Sequence, residues 1–425
     1  MEYGVLIVAG KLNEVCGGKT EGGEFTVVDL FCGAGGLTQG FKDAKLDNFS
    51  FKIVAAVDIW SRAVETYKLN HPEVKVIQGD IRDPEVKEKL KKITDGHVDV
   101  VIGGPPCEAF SLAGKRDPMD PRARLFYDYV DIVKELNPYM FLMENVKGIL
   151  SMITIREDIS DEKKREVLAA LNKLLELDSV GKKRRAAPQY LLRGDKYFDD
   201  PEKRRLAEYV RQYVITVPDA IKEAFGKIGY DVKHSGPINA ADYGVPQERI
   251  RVFFIGAKKG SGINIRFPEP THAKIPIPPL KPWRTLRDAI GHLPPFEERE
   301  DDEVYDGSFS TIFMSRNRRM EWDRPSYTIL ASARHILLHP DSPKMVKVDK
   351  DRWEFEGTGK VRRLSVKECA AIQTFPQNYK FVGSVIDKYA LIGDAVPPLL
   401  AKAFAEKILQ SLVEAGCEPS FRKLS

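Results

Sequence analysis

Short apolar runs, each closed by glycine, proline or an acidic residue, alternate along the first half of the chain with stretches of helical periodicity. Phe25-Thr26-Val27-Val28-Asp29-Leu30-Phe31, Phe51-Lys52-Ile53-Val54-Ala55-Ala56-Val57 and Val74-Lys75-Val76-Ile77 read as buried strands. So do His97-Val98-Asp99-Val100-Val101-Ile102, Tyr139-Met140-Phe141-Leu142-Met143 and Val252-Phe253-Phe254-Ile255. β-Branched and aromatic residues dominate these runs, and turn residues bound them. Helices are predicted over 61–70 and 125–136. Strand alternating with helix predicts a doubly wound α/β sheet, with its ligand crevice outside the carboxyl ends of the strands.

The pattern changes twice. Residues 151–228 are charged and helix-forming, with basic runs at Lys182-Lys183-Arg184-Arg185 and Lys203-Arg204-Arg205 that are ordinary for solvated faces. From Phe267 to Pro295 prolines cluster and mark a linker, and residues 300–360 lack the strand–helix alternation. A helix is expected from Val366 to Gln373. Ile392-Gly393-Asp394-Ala395-Val396-Pro397-Pro398 is expected to open an amphipathic helix running to about Ala415.

At 425 residues the chain accommodates two domains with sizeable cores. The balance of 43% hydrophobic and 30% charged residues describes a soluble globular protein. A net charge of +4 is too small to draw a polyanion by itself, so such affinity must come from local clusters. The five cysteines are scattered, odd in number and never spaced Cys-x-x-Cys, which argues for a reducing compartment and against a disulfide framework or zinc knuckle. His335 and His339 form the one i,i+4 histidine pair, with no acid between them, so no metal is expected. Val5-Leu6-Ile7-Val8-Ala9 is too short for a signal-peptide core and follows Glu2, and no run approaches a membrane span. A cytoplasmic, nucleoid-associated protein is expected.

The chemistry gathers where the predicted strands end. Gly103-Gly104-Pro105-Pro106-Cys107 turns sharply and presents a thiol on a stiff backbone, as either a nucleophile or a buried structural cysteine. Cys32-Gly33-Ala34-Gly35-Gly36-Leu37 places a glycine-rich loop between strand and helix. Asp58 closes the next strand about 20 residues on, where an acid binds ribose hydroxyls, and Asp80 closes the one after. Neither a phosphate-binding lysine nor a Gly-x-Gly-x-x-Gly is present, so S-adenosylmethionine fits better than a dinucleotide. The segment from Glu108 to Arg124 carries Lys115, Arg116, Arg122 and Arg124, suited to closing over a phosphate backbone or to lying solvated. Glu144 ends an apolar strand, where a carboxylate is costly unless paired or working. Arg249 and Arg251 share one face by alternation and could hold a carbonyl or phosphate, or flank a sheet edge.

Six motifs then stand in a telling order: Asp29-Leu30-Phe31-Cys32-Gly33-Ala34-Gly35-Gly36, Gly104-Pro105-Pro106-Cys107, Glu144-Asn145-Val146, Gln247-Glu248-Arg249-Ile250-Arg251, Arg363-Leu364-Ser365 and Gly393-Asp394-Ala395-Val396. From about Phe25 to Leu412 the chain resembles the cytosine-5 DNA methyltransferases. The resemblance implies a Rossmann-like catalytic domain over 25–270 with a charged helical insert at about 153–220. It further implies a smaller, irregular target-recognition domain over 271–383 and a helix over 384–417 returning to the catalytic domain, between an extension at 1–24 and a tail at 418–425. Cys107 would add to carbon 6 of a flipped cytosine, Glu144 would hold N3 and the exocyclic amine, Arg251 would hold O2, and Arg249 would support the pocket. S-adenosylmethionine, which leaves as S-adenosylhomocysteine, would sit against Phe31, Gly33, Gly35, Leu37, Asp58, Ile59, Asp80, Ile81, Pro106, Leu125, Asp394 and Ala395. Ser111, Lys115, Arg116 and Arg122 would touch duplex DNA.

Phe313-Met314-Ser315-Arg316-Asn317-Arg318 and Ala331-Ser332-Ala333-Arg334 are similar to GGCC-recognising bacterial members, which makes Arg316, Arg318 and Arg334 candidate guanine readers. A monomer acting beside a cognate restriction endonuclease is expected. Three departures stand out: Glu108 and Asp394 where amides are usual, and the insert. The amino-methyltransferase alternative needs Pro-Pro-Tyr or Pro-Pro-Phe where Cys107 stands. A tRNA cytosine-5 methyltransferase would carry a Cys-Phe-Thr signature, which is absent. A catalytically inactive DNA-binding regulator would not need Cys107, Glu144 and Arg251 together.

Overall fold

The computed structural model describes residues 22–106, 125–179, 191 and 200–422. Cys107, Ser111, Lys115, Arg116 and Arg122 lie outside the described residues, as do residues 1–21 and the run 182–185. The chain runs β1 (Gly23–Leu30), α1 (Gly36–Asp43), β2 (Lys45–Leu46), β3 (Phe49–Asp58), α2 (Ser61–Asn70), β4 (Lys75–Gln78), α3 (Pro84–Thr94), β5 (Val100–Gly103), α4 (Leu125–Leu136) and β6 (Met140–Val146). It continues through β7 (Ile153–Ile155), α5 (Asp161–Ser179), α6 (Pro201–Arg211), β8 (Val214–Thr216), α7 (Val217–Lys227), β9 (Tyr230–His234), β10 (Ile238–Asn239), β11 (Gln247–Glu248) and β12 (Ile250–Lys258). Short elements follow: β13 (His272–Ala273), β14 (Lys281–Pro282), α8 (Leu286–Ile290), β15 (Ser326–Tyr327), β16 (Met345–Asp349), β17 (Arg352–Phe355) and α9 (Val366–Ile372). Then come α10 (Val385–Asp394), α11 (Pro398–Glu414) and β18 (Phe421–Arg422).

β1 lies between β3 and β5, parallel to both, with β4 parallel to β3 and β6 parallel to β5. The order therefore reverses at β1, and every loop leaving these strands emerges at one edge of the sheet. β12 runs antiparallel to β6, pairing Arg251 with Val146 and Phe253 with Glu144, so its first residues arrive at that same edge. Packing follows from the apolar runs. Phe126, Val133 and Phe225 of α4 and α7 cover one face, and Phe41, Phe404 and Ile408 of α1 and α11 cover the other. Phe404 stacks on Phe253 with ring centroids 3.9 Å apart. The polar residue inside the fourth predicted strand also has an account. Asp99 is fully buried, accepts from the Thr26 backbone at 2.7 Å and from Ser420 Oγ at 2.6 Å, and so ties the chain's end to β1.

The segment after β6 is a small unit of its own: β7 and β8 pair antiparallel, and Ile155, Val167, Leu171, Val210 and Val214 share a separate core with α5 and α6. The later region, lacking alternation, is held by buried charge as much as by apolar packing. The Arg363 guanidinium donates to the carbonyls of Tyr305 and Gly307 at 3.2 and 2.7 Å and lies 4.4 Å from the Phe309 ring centre. One expectation is corrected here. Ile392, Gly393 and Asp394 close α10 rather than open the last helix, because Pro397 and Pro398 cannot continue a helix but can begin one. Among the described residues no helix is long and apolar enough to cross a membrane.

Glu368 is the hub of that region. It accepts from Arg362 at 2.8 and 2.9 Å, from Arg299 at 2.8 Å, and from the Ser365 backbone at 2.8 Å in a capping box that starts α9. Burial alone would raise this carboxyl, but the Arg362 bonds and charge overcome it and hold the group down to about 2, against an ordinary 4.5. A carboxyl depressed on folding contributes stability that is fully present above its unfolded value and lost as pH falls toward its folded one. Thermal melts between pH 5 and 2 should therefore show a steep acid loss that Glu368→Gln flattens. At pH 7 that variant should lose about 3–5 kcal/mol, because half-buried Arg362 is left without its anion and Arg299 keeps only Asp302, 2.9 Å away. Equal acid slopes in the two proteins would contradict the assignment.

Candidate active site

Glu144 stands near the carboxyl end of β6, and Arg251 is the second residue of antiparallel β12. In the ladder Arg251 opposes Val146, which places it diagonal to Glu144 on the same face of the sheet. The Arg251 Nε lies 2.8 Å from Glu144 Oε1, with side-chain exposures of 15% and 13%. So little solvent reaches the pair that its electrostatics are those of a site rather than of a surface. Burial raises the Glu144 carboxyl above its usual range, opposed by the charges of Arg251 and Arg249 and reinforced by Asp394. Arg249 is 1% exposed. Its guanidinium donates to the Gly393 carbonyl at 2.8 Å and the Ile329 carbonyl at 3.2 Å, while its Nε has no partner. Burial and the neighbouring Arg251 cation lower its proton affinity, with Glu144 and Asp394 acting the other way. Gly393 must be glycine here, since a Cβ would stand 2.4 Å from the backbone of Leu330 and Ala331.

The turn after β5 adjoins this pair. Asn145 Nδ2 donates to the Pro105 carbonyl at 3.0 Å, and a Cβ placed on Gly104 would lie 3.2 Å from Glu144 Oε2. Pro106 is exposed and immediately precedes Cys107, which lies outside the described residues. Asn145 had no role in the sequence reading. Its motif was visible, but the bond across to the turn depends on the parallel pairing of β5 and β6.

A crevice opens beside the pair, where β1, β3 and β4 end. Phe31, Gly33 and Gly35 all take positive φ, at 57°, 52° and 85°. The Gly33 backbone donates to Asp58 Oδ2 and the Trp60 backbone to Asp58 Oδ1, each at 2.8 Å. With the Ile59 backbone also acting on it, the carboxylate keeps acceptor capacity for a further donor. Burial raises the Asp58 carboxyl against the pull of these backbone bonds. Ile59 is 64% exposed, an apolar face that the surrounding protein leaves open. Asp80 is held by Arg82, whose Nε lies 2.9 Å from Oδ1, and this bond lowers its carboxyl below the usual range. Phe31 and Leu125 are half-buried and Asp394 is exposed. Ile81 and Ala395 are buried.

Two expected residues are placed differently. Leu37 is buried in the core with Cys32 and Phe41, because it lies on the inward stripe of α1, and it backs the glycine loop from within. Arg318 is 5% exposed, donates to the carbonyls of Phe313 and Ile312 at 3.1 and 3.3 Å, and packs on the Phe313 ring. It braces its own loop, while Arg316 and Arg334 are exposed. Alternation alone cannot distinguish a surface arginine from one whose donors are consumed by backbone carbonyls.

Residues 25–169 and 211–410 match the model of the C-5 cytosine-specific DNA methylases, leaving out most of the charged insert. The type II methyltransferase M.FnuDI of Fusobacterium nucleatum is 36% identical over 408 residues, covering 91% of this chain and 95% of that protein. M.NgoPII of Neisseria gonorrhoeae, also a type II methyltransferase, is 35% identical over 399 residues, with 91% and 96% covered. Among solved structures, a DNA modification methyltransferase encoded within an E. coli prophage superposes with a TM-score of 0.57 at 20% identity, covering 92% of this chain and 100% of that one. A mutant of Spodoptera frugiperda DNMT2 does so at 0.52 and 17%, covering 92% and 99%. Such low identities speak for the fold alone, but the family match spans most of the chain and its relatives are covered nearly whole. This chain belongs to the C-5 cytosine-specific DNA methylases.

Proposed function

We propose that the chain transfers a methyl group from S-adenosylmethionine to carbon 5 of a cytosine flipped out of duplex DNA, as the modifying enzyme of a restriction–modification system. The observation that carries this reading is the Glu144–Arg251 pair, 2.8 Å apart at the mouth of a crevice whose turn leads directly into Cys107. The crevice fits the cofactor. Asp58 offers lone pairs to ribose hydroxyls, Ile59 offers an apolar face to a purine, and the positive-φ loop from Phe31 to Gly35 brings backbone close without phosphate-binding side chains. Bound there, S-adenosylmethionine would supply an electrophilic methyl group on a sulfonium.

The chain's own residues would do the rest. The Cys107 thiolate forms a bond to carbon 6, moving electron density toward carbon 5 and N3. Glu144, whose burial favours the protonated form, donates at N3 and stabilises that density. Arg251 would hold the ring's O2 while keeping its bond to Glu144. Arg249 does not reach outward; it fixes Gly393 and Ile329 around the pocket. Once carbon 5 carries the methyl group, its proton leaves, the carbon–sulfur bond breaks and the thiolate is restored. Such chemistry is blocked inside a stacked duplex, so the base must be extruded. Arg316 and Arg334, with Lys115, Arg116, Arg122 and Ser111, are the proposed DNA contacts, and GGCC is the proposed site.

Replacing Glu144 with alanine should lower kcat by about 10²–10⁴-fold while leaving the affinity for S-adenosylmethionine within about twofold. Stopped-time tritium transfer and calorimetry measure the two separately, and an unchanged kcat would contradict the role. The site assignment has its own test. Plasmid DNA methylated to completion should resist a nuclease that cuts GGCC, and full cutting would contradict it. Tritium transfer to tRNA but not to DNA would instead support the tRNA alternative.

A further inference from the structure

The glycine loop holds three consecutive odd-numbered residues, Phe31, Gly33 and Gly35, in left-handed backbone. A non-glycine residue there is strained, and such a conformation persists only where the surroundings over-determine it. Asp58 fixes one point, through the Gly33 backbone. The Cys32 backbone donates to the Val57 carbonyl at 3.1 Å, and a side chain from far along the sequence adds a further point: the Ala34 carbonyl accepts a hydrogen bond from the Tyr379 hydroxyl, 345 residues away.

Tyr379 belongs to a chain of donors with a single direction. Lys42 Nζ, an obligate donor, lies 3.1 Å from His71 Nδ1, so that nitrogen accepts and the ring is neutral with its proton on Nε2. His71 Nε2 then donates to the Tyr379 oxygen at 2.9 Å, leaving the phenolic proton for the Ala34 carbonyl. Burial, together with the Lys42 charge, pushes the His71 imidazolium down to about 4, in keeping with a neutral ring. Lys42 is anchored in turn by Glu73. No slack remains at the loop end: a Cβ on Gly35 would stand 2.8 Å from both His71 Nε2 and the Tyr379 hydroxyl.

The segment carrying Tyr379 is stitched to α2. Asn70 bonds Lys380 in both directions, at 2.7 and 2.9 Å, and the Val382 backbone donates to Thr66 Oγ1 at 3.0 Å. Phe375 and Phe381 pack on the Tyr379 ring with centroids 4.7 and 5.4 Å away. The hydroxyl is thus aimed by His71, just past α2, and by the rings of its own segment.

We propose that Tyr379, aimed by His71, is a positioning residue that holds the Phe31–Gly35 loop in its cofactor-binding form. The inference rests on the reading that S-adenosylmethionine binds at this loop. Tyr379→Phe keeps the ring and removes the bond. In the full chain it should raise both Kd and KM for S-adenosylmethionine about tenfold, the worth of one net hydrogen bond, while kcat at saturating cofactor and KM for DNA stay within about twofold. His71→Gln, whose amide can still donate to the hydroxyl, should fall between the native protein and His71→Leu. Native cofactor affinity in Tyr379→Phe overturns the proposal. Equal rises in both KM values also overturn it, since a merely structural loss would do that. Should Tyr379→Phe not fold, indistinguishable affinities in the two His71 variants would overturn it as well. A native chain that takes up no S-adenosylmethionine would instead contradict the functional reading, so the two failures are distinct.

Discussion

A carboxylate and a guanidinium meeting at the rim of a sheet, with little water between them, organise this molecule. Glu144 ends a strand buried on both faces, and a charge there is tolerated only with a partner. In a parallel strand the second residue would lie at the opposite edge of the sheet. The antiparallel entry of β12 beside β6 puts the first residues of one strand against the last of the other, and the pair forms as a consequence of topology. Burial and the two cations act on Glu144 in opposite senses, and burial prevails, raising its carboxyl.

The same rim joins the sheet to the irregular second region. Arg249, next but one to Arg251, spends its donors on Gly393 and Ile329. Gln247 receives from the Ile329 backbone at 3.0 Å and donates to Gln373 Oε1 at 2.9 Å, and Gln373 reaches the Ile392 carbonyl at 2.6 Å. Buried side-chain amides saturated in this way fix one relative placement, because any shift would strand a donor in a dry environment. The Glu144–Arg251 rim and the region around Ile329 and Gly393 are therefore parts of one hydrogen-bonded frame.

Much of this was legible in the residues. The helix expected over 61–70 has those bounds and the one expected to end at Leu136 ends there, since apolar periodicity and flanking turn residues agree in both. The strand expected to begin at His97 starts instead at Val100, because Asp99 turns to bond Thr26 and Ser420. The last helix was entered too early. Ile392 to Asp394 carry a helical pattern whose owner, α10, is revealed only by its Ser384 capping box and the following prolines. Arg318 and Leu37 pack inward for a shared reason: side-chain chemistry says what a residue can bond, and packing decides which partner it finds. His71 and Tyr379 carried no local signal, and Asn145 carried only its motif, since their partners lie 40 to 345 residues away.

The most direct test is covalent. DNA carrying 5-fluorocytosine at the target position lacks the proton whose loss releases the sulfur, so turnover in the presence of S-adenosylmethionine should halt with protein and DNA joined. Digestion and mass spectrometry should then place the modified base on Cys107, with the Glu144→Ala protein forming the adduct far more slowly. An adduct on another side chain, or none under conditions where ordinary DNA is methylated, would contradict the account.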